Sequence, residues 1–358
     1  MTPAKPSATA KRARPARRIG PIGLDLALQG GGSLGAFTWG VLDTLLQVER
    51  IRIDGICGTS AGALNAAVLA TGYAQSGADG ARRALAAFWA DVGASGGLFG
   101  SSIAASAGSF NLDTHPWYAW VGAWSRLLSP YQTNPLGLDP LRDLLRRHVD
   151  EAALRRGPIR VFVAATAVTT GQPRIFSGDS LSLDALLASA CLPQVFRAVH
   201  IDGVPYWDGG YSGNPALWPL IYDTPAVDLL LVRINPLARK GLPETAEEIQ
   251  NRVNELTFNA GLVGEMRAIA FVHRLLQDKR LDAGRYKNLR LHMIGDDAAL
   301  AEFNASSHMN TDPRFLKLLF ERGSATAARW LATHGQDLGR RATVDIEATF
   351  LKPRDVGF

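Results

Sequence analysis

The sequence predicts an α/β fold around a parallel sheet, and three features of its opening stretch carry that prediction. Apolar runs too short for helices stop at glycines, each is followed by helical periodicity, and this strand–turn–helix unit occurs twice in succession. Leu24–Gln29 (LDLALQ) reads as a buried strand that runs into Gly30-Gly31-Gly32. Ser33–Glu49 follows, with Phe37, Val41, Leu45 and Val48 at helical spacing. Ile53–Cys57 is a second strand, and Ala61–Ala70 is an apolar, alanine-rich helix.

Further along, Arg82–Val92 and Leu138–His148 read as helices, Ile159–Ala165 as a strand with a hairpin partner at Pro173–Phe176, and Leu181–Ala190 as a helix stopped ahead of Pro193. Val204–Gly213 reads as a turn-rich loop. Asp228–Ile234 and Leu289–Ile294 are apolar strands, and Arg314–His334 is a closing helix. Thr245–Lys279 is long and helical, with Ile249, Val253, Leu256, Ala260, Val263 and Met266 on one stripe, expected to pack on the sheet domain or on a partner. Between residues 93 and 135 the periodicity dissolves, and Trp117, Tyr118, Trp120 and Trp124 crowd together. An aperiodic segment of this length is usually functional or disordered, and its rings suit a lipid–water boundary or a core equally well.

Composition narrows the class. With 358 residues, 47% of them apolar and 20% charged, the chain can bury a sizeable core and does not read as disordered. The net charge of +5 belongs to the arm: Lys5, Lys11, Arg12, Arg14, Arg17 and Arg18 precede any acid, so the body is near neutral. Pro3, Pro6 and Pro15 oppose a helix there. The arm reads as a solvated, disordered tail, or as an electrostatic contact to an anionic surface. No zinc spacing or nucleic-acid motif accompanies it, so no nucleic acid is expected. Cys57 and Cys191 each sit among small apolar residues, which predicts buried free thiols and a reducing compartment. No run of eighteen apolar residues predicts a membrane span. The stretch after the basic start is broken by Gly20, Gly23 and Asp25, and reads as a strand rather than a signal peptide.

Three motifs could carry chemistry. Gly58-Thr59-Ser60-Ala61-Gly62 is a GxSxG between a strand and a helix, the setting in which a serine on a sharp turn becomes a nucleophile. The following helix directs its free N–H groups and positive dipole end toward a developing oxyanion. Gly30-Gly31-Gly32-Ser33-Leu34-Gly35 presents bare backbone N–H groups that could form an oxyanion hole. The same glycines, Gly30, Gly32 and Gly35, also satisfy the dinucleotide pattern GxGxxG. That rival needs an acid at the end of the second strand, whereas Asp54 lies at its beginning. The third motif is Asp208-Gly209-Gly210, on its own a common turn.

In this order, the three motifs over about residues 24–235 resemble the patatin-like phospholipase family, and Ala188-Ser189-Ala190-Cys191-Leu192-Pro193 resembles the family's helix-ending segment before its aspartate. The resemblance implies a three-layer α/β/α sandwich with a mostly parallel central sheet, plus a helical C-terminal extension. It also implies a calcium-independent lipid acyl hydrolase with no cofactor or metal. Ser60 and Asp208 would form a catalytic dyad without histidine, and Gly30, Gly31 and Gly32 would supply the oxyanion hole. Gly35, Gly58, Gly62, Gly209 and Gly210 are the remaining motif glycines. Two positions depart from the family pattern: Gln29 stands where the loop often begins with Asp, and Leu34 where it often carries Arg or Lys.

The expected organisation is a basic arm at 1–20, a catalytic domain at 21–240 with 93–135 as a lid or membrane-contact insertion, and a mainly helical region at 241–358. The expected location is cytoplasmic, with peripheral contact to an anionic membrane through the arm. The alternatives are a Rossmann-type oxidoreductase and a catalytically idle binding protein of the same fold. Because a carboxylate has an ordinary pKa of about 3.9, a dyad without imidazole predicts no titration of the rate near pH 6.5. A triad would instead need one of His200, His273, His292, His308 or His334.

Overall fold

The computed structural model describes residues 20–95, 110, 129–134, 139–239, 241–300, 302–303 and 305–352. The arm at 1–19 and most of the aperiodic stretch, including Trp117, Tyr118, Trp120 and Trp124, lie outside the described residues. In chain order the strands are β1 (Ile22–Leu28), β2 (Ile51–Thr59), β3 (Arg160–Ala167), β4 (Pro173–Ser177), β5 (Val199–Ile201), β6 (Val204–Asp208), β7 (Asp228–Val232) and β8 (Arg290–Ile294). The helices are α1 (Gly35–Leu45), α2 (Ala61–Ala94), α3 (Pro130–Thr133), α4 (Pro140–His148), α5 (Glu151–Arg156), α6 (Leu183–Ser189), α7 (Trp218–Asp223), α8 (Ala246–Gln277), α9 (Asp297–Leu300) and α10 (Pro313–His334).

One sheet runs β5-β6-β3-β2-β1-β7-β8, with β4 paired to β3. The β3-β2-β1-β7-β8 stretch is parallel throughout, while β4, β5 and β6 pair antiparallel. Alternation along the strands sorts the core onto two faces. Leu24, Leu26, Leu28, Ile56, Val161, Val163, Leu230 and Val232 point to one, packed with α1, α2, α4, α6 and α10. Ala27, Cys57, Phe162, Ala164, Leu229 and Leu231 point to the other, packed with α7 and α8. This is the mostly parallel α/β/α sandwich that the family resemblance implies.

The C-terminal helical region divides between the faces: α10 packs beside α1, α8 covers the opposite face, and β8 extends the sheet. The expected stripe on α8 is not its packing face. Met266 is buried, but Ile249, Val253 and Leu256 are 47%, 49% and 53% exposed, and the inward residues are Leu262, Met266, Ile269 and Ala270. Two further differences from the sequence reading concern breaks and strands. The helices expected at 61–70 and 82–92 are one long element, α2, interrupted at Ser76 and Gly77, whose backbone leaves the helical region. The expected loop at 204–213 begins as strand β6, in a hairpin with β5.

Helices α1 and α10 approach closely because each offers a glycine at the crossing. A Cβ on Gly40 would collide with the Phe320 carbonyl, and one on Gly323 with the Phe37 carbonyl. In an open helix interior, Gly→Ala stabilises by about 1 kcal/mol. Here Gly323→Ala is expected to destabilise by about 1–3 kcal/mol through overpacking. The check is the urea midpoint; a midpoint that rises would show that the helices are not in contact there.

Candidate active site

Register brings Ser60 and Asp208 together across 148 residues of sequence. On one edge of β3, β4 pairs Arg174 with Ala165 and Pro173 with Thr166. On the other edge, β2 reaches as far as Thr59, opposite Ala164. Strand β6 pairs with Ala165–Ala167, where the first edge is already occupied, so it lies on the edge of β2, beyond that strand's end. Asp208, opposite Ala165, therefore sits one β3 residue past Thr59. A Cβ on Gly209 would come 3.0 Å from Thr59 Cγ2, consistent with that abutment. Thr59 Oγ1 donates to Gly213 O at 2.8 Å, and Thr166 Oγ1 to Asp208 O at 2.8 Å, so both ends are pinned.

Ser60 caps α2 with φ 53° and ψ −127°, a conformation that a non-glycine residue adopts only when its surroundings impose it. The surroundings are visible. Ser60 N–H donates to Ser189 Oγ at 2.9 Å, from the fully buried end of α6. A Cβ on Gly62 would collide with the Leu28 carbonyl, so the helix can start this close to β1 only with glycine there. The serine is 8% exposed.

Asp208 is wholly buried. Its Oδ1 accepts from Gly210 N–H at 2.8 Å, and its Oδ2 has no hydrogen-bond partner among the described residues. Burial pushes the carboxyl up to about 7, against the lowering effects of Gly210 N–H and the Ser60 hydroxyl. Burial thus lifts the carboxyl from the ordinary carboxylate range toward neutrality. Gly210 has no Cβ because the Phe258 ring from α8 occupies that space, and Tyr211 packs edge-on against the same ring.

The glycine loop lies against the serine. A Cβ on Gly30 would fall 2.7 Å from Ser60 Cβ. Of the three glycines expected to donate, Gly30 differs from the others, because its N–H is held by Asn214 Oδ1 at 2.6 Å. The N–H groups of Gly31 and Gly32 meet no acceptor among the described residues, and Gly32 adopts φ +57°. Gly35 packs on Ala61 and the Trp89 ring, and its carbonyl accepts from Asn65 Nδ2 at 3.0 Å.

Among the described residues no histidine bonds to Ser60 or Asp208. His200 is exposed on β5, His273 is half-buried on α8, and His334 pairs with Asp337. His292 has the order of a triad, between Asp228 Oδ1 at 2.9 Å and Thr343 Oγ1 at 3.1 Å, but it is wholly buried at the opposite end of the sheet. His308 comes nearest to the loop: its backbone lies against Gly32, and desolvation pushes its imidazole down to about 4. The acid that a dinucleotide site requires is also missing, since Asp54 pairs with Arg52 at 2.7 Å and β2 ends in the serine turn. Both cysteines are buried and free. Among the described residues no three metal-ligating side chains gather, and no helix is long and apolar enough to cross a membrane.

Sequence reading missed Ser189 as a partner of the elbow, and it missed Asn214, Asn235 and Asn259 altogether. Only the Asn-Pro after Asp208-Gly209-Gly210 gave a local hint, since a polar residue held rigidly behind a turn is a common clamp.

The raised Asp208 pKa has a definite sign for stability. The folded protein keeps this proton up to about pH 7, whereas an unfolded carboxyl, with an ordinary value of 3.8, loses it near pH 4. Folded stability therefore falls as pH rises through that window. Asp208→Asn is expected to match wild type in urea midpoint at pH 4 and to exceed it at pH 8. An equal or lower midpoint at pH 8 would contradict the burial cost.

The family model for patatin-like phospholipase matches residues 26–221. Among solved structures, the crystal structure of VipD from Legionella pneumophila is similar at 14% identity, covering 93% of this chain and 73% of that one, with a TM-score of 0.39. No curated protein matches the chain.

Proposed function

The chain belongs to the patatin-like phospholipase family, and we propose that it hydrolyses the carboxylic ester of a lipid with a Ser60–Asp208 dyad. The observation that carries this reading is the wholly buried Asp208 carboxyl with the Ser60 hydroxyl as its side-chain neighbour, that serine being held at φ 53° on the N-terminus of α2. Ser60 Oγ attacks the acyl carbonyl carbon while its proton passes to Asp208 Oδ2. The negative charge that develops on the carbonyl oxygen is met by the N–H groups of Gly31 and Gly32 and by the positive end of α2. Collapse of the tetrahedral intermediate breaks the ester C–O bond, and Asp208 returns the proton to the departing alkoxide. Water then attacks the acyl-Ser60 carbonyl, giving its proton to Asp208, and the acid leaves as the serine regains its hydrogen. The chemistry accommodates a phospholipid, a lysophospholipid or a neutral ester.

Burial also explains how a carboxylate serves as base. A pKa near 7 narrows the gap to the serine hydroxyl, and in a water-poor site the oxyanion donors count for more than in solvent. Wild type is expected to hydrolyse a short p-nitrophenyl ester and to take a fluorophosphonate label. Ser60→Ala and Asp208→Asn should lose turnover while staying folded; a variant retaining a tenth of the wild-type rate would remove that residue from the mechanism. The rate should rise with pH around a midpoint of about 7, as Asp208 ionises. Cys191 and Tyr211 face the same carboxylate, but both are pushed up by burial, so they stay protonated there. Carboxylic acids ionise with little enthalpy and imidazoles with much, so the midpoint should hardly move between 10 and 35 °C, and a marked fall on warming would point to histidine.

The basic arm supports a second part of the reading, peripheral attachment to an anionic membrane. Six cations without an acid can each contribute on the order of 1 kcal/mol at such a surface, less in high salt. Deleting residues 1–20 is expected to leave soluble-ester turnover intact and to weaken binding to phosphatidylserine vesicles. Equal vesicle binding by both proteins would retire the attachment.

A further inference from the structure

We propose that Gln29 is a positioning residue for the oxyanion loop and that, through Asn259, it makes α8 part of the loop's support. The inference rests on the hydrolase reading above. Gln29 is fully buried directly after β1, where its N–H continues the pairing with Val232 O at 3.2 Å. Its side-chain oxygen accepts three N–H groups: Ile234 N at 3.0 Å, Asn235 N at 3.0 Å and Asn235 Nδ2 at 3.3 Å. Its side-chain nitrogen donates to Asn214 O at 3.1 Å and to Asn259 Oδ1 at 3.4 Å.

The next peptide is gripped by the same groups. Gly30 N–H donates to Asn214 Oδ1 at 2.6 Å, and Gly30 O accepts from Asn235 Nδ2 at 2.7 Å and from Asn214 Nδ2 at 3.3 Å. Asn259 in turn donates to Pro236 O at 2.9 Å. Of four linked buried amides, Asn214 and Asn235 thus clamp the residue that immediately precedes the free N–H groups of Gly31 and Gly32, and Gln29 and Asn259 tie them together. They come from four places: the end of β1, the turn after Asp208, the end of β7, and α8.

The requirement for an amide at position 29 follows from what surrounds it. Three donors face one atom of the side chain and two carbonyl-type acceptors face the other, so only a group that accepts and donates satisfies both sides. A carboxylate of the same shape would set charge against Asn214 O and Asn259 Oδ1. This accounts for glutamine at a position where the family often has an acid. A satisfied buried network also holds its members in one arrangement, because any displacement strands a polar group away from water.

The test combines amide exchange with kinetics in Gln29→Ala, Asn259→Ala and the double variant. Asn259 does not touch the glycine loop; it reaches Gly30 through Gln29 or through Pro236 O and the neighbouring Asn235, and the double variant with Gln29→Ala separates the two routes. Both single variants should speed exchange of the Gly30 amide by about tenfold or more, the equivalent of one net hydrogen bond, while β3 keeps its protection. On a p-nitrophenyl ester, Gln29→Ala should lower kcat by about 100-fold, as a displacement of about 1 Å in a catalytic donor does, with KM within about twofold of wild type. The double variant should be no worse than Gln29→Ala alone, since both act through one network. Unchanged Gly30 exchange in Asn259→Ala would overturn the proposal, as would a kcat loss that merely tracks the folded fraction. Should Gln29→Ala fail to fold, Asn259→Ala decides alone. Wild-type turnover that is absent, or that survives Ser60→Ala, would sink the hydrolase reading, while the exchange data would still decide the clamp.

Discussion

Everything at the candidate site depends on one edge of β3 serving two strands in turn. Strand β2 uses it up to Ala164 and β6 takes it over at Ala165, so a parallel and an antiparallel partner end against each other. Side chains alternate along strands, so a slip of one residue in β6 would turn Asp208 to the other face. Three bonds oppose that slip: Asp208 N–H to Cys191 O at 2.8 Å, Thr166 Oγ1 to Asp208 O, and Thr59 Oγ1 to Gly213 O. The elbow at Ser60 begins at this junction, and Gly30, held by the cluster around Gln29, lies against the serine.

The junction also sets the electrostatics. A carboxylate at the abutment of two strand ends is shut away from water, and burial outweighs the one N–H it accepts and the neighbouring serine. The same burial that strengthens it as a base makes it a cost to folding at neutral pH. Asp25 on β1 and Glu265 on α8, each also pushed up to about 7 by burial, add costs of the same sign elsewhere in the fold. Asp228 shows the opposite outcome: although partly desolvated, it is drawn well below the ordinary range by His292, Arg290 and Gly339 N–H. Burial is offset at Asp228 by three donors, and at Asp208 only by the Gly210 N–H and the Ser60 hydroxyl.

The parts of this arrangement that were legible in sequence are those encoded locally. The strand before Ser60, the glycines that permit the turn and the helix after it occupy one short stretch, as do Asp208, Gly209 and Gly210. Strand β6 was not legible, because Pro205 and the Asp202-Gly203 turn interrupt its pattern and one of its two partners, β3, lies about forty residues upstream. The amide clamp was not legible for a different reason: its members are separated by up to 230 positions, and no single Asn or Gln signals burial. The α8 stripe misled because periodicity reports that an apolar face exists, not which neighbour it meets; Ile249, Val253 and Leu256 face outward while Leu262 and Ile269 carry the packing.

The division of the C-terminal region between the two faces bears on what counts as a unit of this fold. The stretch that matches the family ends at residue 221, short of β7, β8, α8 and α10. A chain cut there would leave β1, whose last five residues are buried, as an open sheet edge with unpaired N–H and C=O groups, a template for joining other chains. It would also strip Asn235 and Asn259 from Gln29 and the Phe258 ring from Gly210. The family-matching stretch is therefore not a separable module, and exchanging segments between relatives at that boundary would trade a covered sheet edge for a sticky one.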